Sequence, residues 1–106
     1  MGILDFFRGP DINEGVTEYA ATPGAVLLDV RTVAEYEKGA IPGSRNLPLD
    51  RLGKVVEVVK DRDTPVFVYC LSGARSQQAT AYLESLGYTR VKNIGGISRY
   101  RGKVGE

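Results

Sequence analysis

Residues 64–86 read TPVFVYCLSGARSQQATAYLESL, and the fold is decided there. A β-branched and aromatic run ends on Cys70, the only cysteine of the chain. Such residues suit a pleated, buried strand, predicted over Pro65 to Tyr69. Leu71-Ser72-Gly73-Ala74 is a short loop, and an amphipathic helix follows that stops at Gly87. A thiol at the tip of a strand, facing the first turn of a helix, sits where chemistry is easily built.

Working outward, Leu52, Val55, Val56 and Val59 have the spacing of a core-facing helical stripe. The polar Asp61-Arg62-Asp63 separates that stripe from the central strand. Further back, AVLLDV at 25–30 is a short continuous apolar run, the mark of a strand buried on both faces. Thr32-Val-Ala-Glu35 is a capping box that predicts a short helix from just after Arg31 to Gly39. Ile41-Pro42-Gly43 is a turn and Asn46-Leu47-Pro48 a brief extended piece. Asn13 is predicted to cap a first helix, with Val16, Tyr19 and Ala20 on one face, that ends at Thr22-Pro23-Gly24.

Beyond Gly87, Tyr88 to Ile94 predicts a last strand, with Gly95-Gly96 turning the chain into a short tail helix at Ile97–Tyr100. Residues 1–10 form a leader whose Ile3, Leu4, Phe6 and Phe7 are expected to lie against the domain, leaving 11–106 as one domain. Strands alternating with helices predict an α/β fold, a parallel sheet of four to five short strands with helices on both faces. Ligands sit beyond the carboxyl ends of such strands. Cys70 is at one such end and Asp29-Val30-Arg31 at another.

The chain has 14 basic and 13 acidic residues, a net charge of +1, and 42% apolar residues. The apolar share is enough for a core, and the charge balance gives no reason to expect nucleic acid or an anionic membrane as partner. No apolar run reaches the roughly 18 residues of a bilayer span, and MGILDFFRGPD lacks the marks of a secretory signal. A single cysteine fits a reducing compartment, so the expected location is cytoplasmic. There is no histidine. Cys-His and Ser-His-Asp catalysis, HExxH sites and zinc held by Cys and His are therefore excluded within this chain.

An ordinary thiol titrates near ~8.5, so activating Cys70 without a histidine must be electrostatic. The loop 71–75 can turn its N–H groups toward a shared centre, the following helix aims its positive end there, and Arg75 is a permanent cation nearby. Lowering the thiol by two units requires about 2.7 kcal/mol. An exposed helix terminus supplies only about 0.3–1 kcal/mol. The N–H nest and Arg75 are thus expected to carry most of the shift. A lone cysteine ending an apolar strand also serves as inert core filler. Gly73, Arg75, Ser76 and the helix after them are what an inert cysteine does not need.

Cys70-Leu71-Ser72-Gly73-Ala74-Arg75-Ser76 resembles the active-site loop of the rhodanese family of sulfurtransferases. Leu27-Leu-Asp29-Val-Arg31 with Glu35-Tyr36 resembles its first signature, Gly39 to Asn46 its second, and Gly87-Tyr88 through Gly95-Gly96-Ile97 its ending. The match covers roughly residues 11 to 104. The resemblance implies a rhodanese-like three-layer α/β/α domain and a thiosulfate:acceptor-type sulfurtransferase. Cys70 would take the outer sulfur of a donor such as thiosulfate or a persulfide, becoming a persulfide itself. A thiol or protein acceptor would then remove that sulfur. The loop N–H groups would hold the persulfide charge, and no metal or organic cofactor is implied. Asp29 and Arg31 are candidate supporting residues, their other reading being a structural ion pair or loop hydrogen bonds that hold the strand ends.

The sequence departs from the family pattern in places. Ala40 stands where the second signature usually carries His, and Tyr100 where an aromatic Trp is common. Leu71 and Ser72 are neutral where many thiosulfate-using members are basic, which favours a less charged donor. A cysteine phosphatase is one rival reading, but it needs five residues between Cys and Arg, and four separate Cys70 from Arg75. A non-catalytic binding or regulatory module of the same fold is the other, and relatives of that kind typically lose the cysteine kept here.

Overall fold

The computed structural model describes residues 9–105. The expected packing of Ile3, Leu4, Phe6 and Phe7 lies outside those residues. In chain order the elements are α1 (Ile12–Ala20), β1 (Val26–Asp29), α2 (Val33–Glu37), β2 (Arg45–Asn46), a 3-10 segment (Leu49–Lys54), α3 (Val55–Val58), β3 (Val66–Cys70), α4 (Ala74–Ser85), β4 (Val91–Gly96) and a 3-10 turn (Ile97–Arg99). The strands form one four-stranded sheet in the order β2-β1-β3-β4, every pairing parallel. The expected α/β architecture is what the chain adopts.

β3 is central and buried along its whole length. Its alternation divides the core. Val66, Val68 and Cys70 face one layer with Leu28, Leu52, Val55, Ala79 and Leu83, under α4 and the 3-10–α3 stretch. Phe67 and Tyr69 face the other with Ile12, Leu27, Ile41 and Ile94, under α1. The period of two thus sends the Cys70 side chain toward α4.

Several boundaries differ from the sequence expectation. The cap of α1 is Asp11, whose carboxylate accepts the Asn13 N–H at 2.9 Å, while the Asn13 side chain instead reaches Arg99 O and receives the Arg101 N–H. Asp and Asn are comparable caps, so adjacency in sequence does not separate them. The stripe from Leu52 to Val59 is broken into 3-10 and α pieces, which turns Val56 outward at 37% exposure while Leu52, Val55 and Val59 stay buried. The capping box of α2 forms as read, Thr32 and Glu35 each bonding the other's backbone N–H.

The largest departure is at the end of the sheet. Gly95 and Gly96 do not form a turn after β4 but are its last two residues, pairing with Tyr69 and Cys70 across a bulge between Val68 and Tyr69. A Cβ at Gly96 would collide with the Leu71 carbonyl and the Ser72 Cα. Glycine is there because the loop after Cys70 lies against the strand. The Ser98 N–H bonds Leu71 O at 3.1 Å from the same side.

Candidate active site

Cys70 is the last residue of β3, and its thiol is free and buried, with 1% of the residue exposed. The loop that follows is shaped by Gly73, whose φ of 106° is left-handed and which immediately precedes α4. The turn points the Gly73 N–H at Cys70 Sγ, 3.0 Å away. Ser76, in the first turn of α4, places its Oγ 3.5 Å from the sulfur.

Burial raises the thiol's pKa, and against it work the Ser76 hydroxyl and the backbone N–H groups of Ser76, Gly73 and Ser72. The balance lies below the ordinary thiol value. The Ser76 hydroxyl leads this lowering and the backbone N–H groups add to it, with no histidine in the chain to do so. Compared with the expectation, these hydrogen bonds stand ahead of Arg75.

Arg75 is at the site but engaged elsewhere. Its Nη1 and Nη2 lie 2.7 and 2.9 Å from the two Glu35 oxygens, a bidentate pair between α4 and α2. The two side chains are 33% and 28% exposed, so the pair lies at the surface of the site. Glu35 is held by Arg75 and Thr32 at a pKa of about 2, well below the carboxylate range, despite partial burial. In the sequence the capping box alone accounts for Glu35, and the structure adds its pair with Arg75. The contact spans forty positions of sequence, which no local spacing reveals.

Asp29 and Arg31 form a buried ion pair, Nη2 to Oδ2 at 2.7 Å, with Nε shared between both carboxylate oxygens. Arg31 also donates to Gly39 O at 2.8 Å, and the Arg31 N–H to Asp29 Oδ1. This tie joins the end of β1 to the turn after α2. The guanidinium lies 5.8 Å from the centre of the Tyr69 ring. Tyr69 in turn accepts the Ile41 N–H on its hydroxyl and donates to Ser44 Oγ. The geometry shows Asp29 and Arg31 as a buried ion pair that also holds the Gly39 carbonyl.

Asn93 was not singled out as a site residue. Its Oδ1 accepts the Ser76 hydroxyl at 2.7 Å and the Gly95 N–H at 3.0 Å, and its Nδ2 donates to Gly73 O at 3.3 Å. One amide thus fixes the serine, the bulge of β4 and the loop. An asparagine two residues before Gly95-Gly96 in a strand is poorly suited to a ladder, and that mismatch is the signal the sequence offers. At Ala40, the position of the family's usual His, the backbone pairs both ways with Gly105, at 2.8 and 2.9 Å. Tyr100 lies against the Phe67–Tyr69 layer.

Two hollows lie near these groups. One of about 230 Å³ follows the back of the loop, with Ser72, Gly73, Gln77, Asn93 and Ser98 among its walls. Another of about 370 Å³ lies between the 3-10 segment and α4, at Leu49, Gly53, Gln78 and Tyr82, and does not include the thiol. The loop itself, with its convergent donors, is the better candidate for chemistry.

The parallel α/β sheet thus delivers a base-free cysteine into an N–H-lined loop. The rhodanese-like domain model matches residues 14–103, and the chain belongs to that family. Over 80 residues it is 49% identical to a sulfurtransferase of Allochromatium vinosum, covering 74% of this chain and 73% of that one. It is 32% identical over 102 residues to a tRNA uridine(34) hydroxylase of Salmonella newport, covering 91% of this chain but 28% of the hydroxylase. Among solved structures, an E. coli rhodanese superposes with a TM-score of 0.73 at 31% identity, covering 77% of this chain and 98% of its own. A thiosulfate sulfurtransferase from Pseudomonas aeruginosa gives 0.78 at 28% identity, covering 90% of this chain and 19% of its own. Among the described residues no helix is long and apolar enough to cross a membrane.

Proposed function

We propose that the domain is a sulfurtransferase that carries sulfane sulfur on Cys70. The observation that carries the reading is the thiol held 3.0 Å from the Gly73 N–H, with its pKa lowered by the hydrogen bonds of Ser76, Gly73 and Ser72. The Cys70 thiolate attacks the outer sulfur of the donor. The donor's S–S bond breaks, and sulfite or a thiolate leaves with the electron pair. The N–H groups of Ser72, Gly73 and Ser76 hold the negative outer sulfur of the resulting persulfide. An acceptor thiolate, or cyanide in an assay, then attacks that sulfur and returns Cys70 to the thiolate.

Ser76 fits a part in both states. A hydroxyl has one hydrogen, and it has acceptors at Asn93 Oδ1 (2.7 Å), Gly73 O (3.1 Å) and Cys70 Sγ (3.5 Å). While the sulfur is a thiol the hydrogen serves Asn93; when the sulfur is charged, rotation about Cβ–Oγ serves the sulfur. Leu71 and Ser72 carry no charge to draw a dianion, which favours a persulfide over thiosulfate as donor. Thiocyanate formation from cyanide tests the reading. Turnover with either donor, lost in Cys70→Ser, is the expected result, and its absence with both donors would overturn it.

A further inference from the structure

Two guanidiniums at this end of the sheet, those of Arg31 and Arg75, are each matched by a carboxylate. Arg31 is spent on Asp29 inside the sheet end, and Arg75 on Glu35 at the surface of the site. The remaining loop positions, Leu71, Ser72, Gly73, Ala74 and Ser76, are uncharged. Glu35 is the main cause that raises the Arg75 pKa, and a charge on the Cys70 sulfur adds to it. Glu35 is fixed in its turn by α2, where the Thr32 N–H and hydroxyl reach Oε1 at 2.9 and 3.1 Å. The negative charge is therefore built in by a helix cap and aimed at the cation of the loop.

We propose that Glu35 is a specificity-determining residue: its carboxylate cancels the Arg75 charge and so biases the Cys70 site away from dianionic donors and toward donors of lower charge. This rests on the sulfurtransferase reading above. An incoming anion meets a dipole where a lone Arg75 would offer a full positive charge. The field acts in proportion to the donor's charge, so thiosulfate, a dianion, is penalised about twice as much in free energy as a hydropersulfide monoanion. The selection is made at the surface of the site, before any sulfur–sulfur contact.

Glu35→Gln isolates the charge, because glutamine keeps an acceptor for Arg75 and is itself a capping-box residue at this position. In this variant kcat/KM for thiosulfate should rise roughly tenfold, mostly through KM, and that for a small alkyl hydropersulfide roughly threefold, both gains shrinking with added salt. In an Arg75→Gln background the same substitution should give no gain. A second readout needs no turnover: sulfate should protect Cys70 from iodoacetamide at about a tenfold lower concentration in Glu35→Gln. Values within twofold of wild type in both assays, or a loss of activity with both donors, would overturn the proposal and leave Glu35 as a tether for Arg75. If wild type takes sulfur from neither donor while sulfate protection still shifts, the sulfurtransferase reading falls and the charge matching stands.

Discussion

The Cys70 thiol is lowered below its ordinary value without a histidine because the Ser76 hydroxyl and three N–H groups together outweigh burial. A hydrogen bond to a charged group contributes about 1.5–3 kcal/mol, so each of the four matters. Ser76→Ala removes the hydroxyl, and the alkylation rate of Cys70 at pH 7 should fall roughly tenfold. Its pH–rate midpoint should move up from below the ordinary thiol range toward that range, because less thiolate is present at any given pH. An unchanged midpoint would place the hydroxyl outside the thiol's electrostatics. At this scale the sequence was partly legible. The loop 71–76 could be read directly, since its glycine, arginine and serine lie within six residues of the thiol. Asn93 and the Glu35–Arg75 pair could not, because both arise from sheet order and helix placement.

Among the elements, the joint between β4 and the active-site loop is the most exacting. A methyl group at Gly96 has nowhere to go but into the Leu71 carbonyl and Ser72 Cα. Gly96→Ala should therefore cost about 1–3 kcal/mol in urea unfolding and, by shifting the loop, remove most of the sulfur transfer. A variant of wild-type stability and activity would mean that the loop does not need this close approach. The Asp29–Arg31 pair binds the end of β1 to the α2 turn, with Asp29 fully buried. Asp29→Ala leaves a buried guanidinium unpaired, and a loss of about 3–5 kcal/mol is expected by the same measurement. The reading of Gly95-Gly96 as a turn failed for a physical reason. Paired glycines mark turns when nothing presses on the strand, and here a backbone does.

For the molecule as a whole, alternation of apolar runs with capped helices was enough to place a parallel sheet with its thiol at a carboxyl end. The split of the core into two layers followed from the period of two in β3. The molecule also has a defined acid response at Glu35. Its folded pKa of about 2 lies below its ordinary 4.5, so the stabilisation from its ion pair and cap is fully present above 4.5 and is lost as pH falls through about 2. Solvent screens a surface pair, so the effect is about 1 kcal/mol. Glu35→Gln should be less stable than wild type by about that amount at pH 7, with the gap closing below pH 4. A gap that persisted unchanged to pH 2 would separate the residue's contribution from its charge.

The central claim is that sulfur resides on Cys70, and intact-mass spectrometry after incubation with a donor tests it most directly. Thiosulfate and an alkyl hydropersulfide should be tried in parallel. The predicted result is a mass increase of one sulfur atom with at least the hydropersulfide, removed by cyanide or a free thiol and absent in Cys70→Ser. A folded wild-type protein that gains no sulfur from either donor would contradict the account.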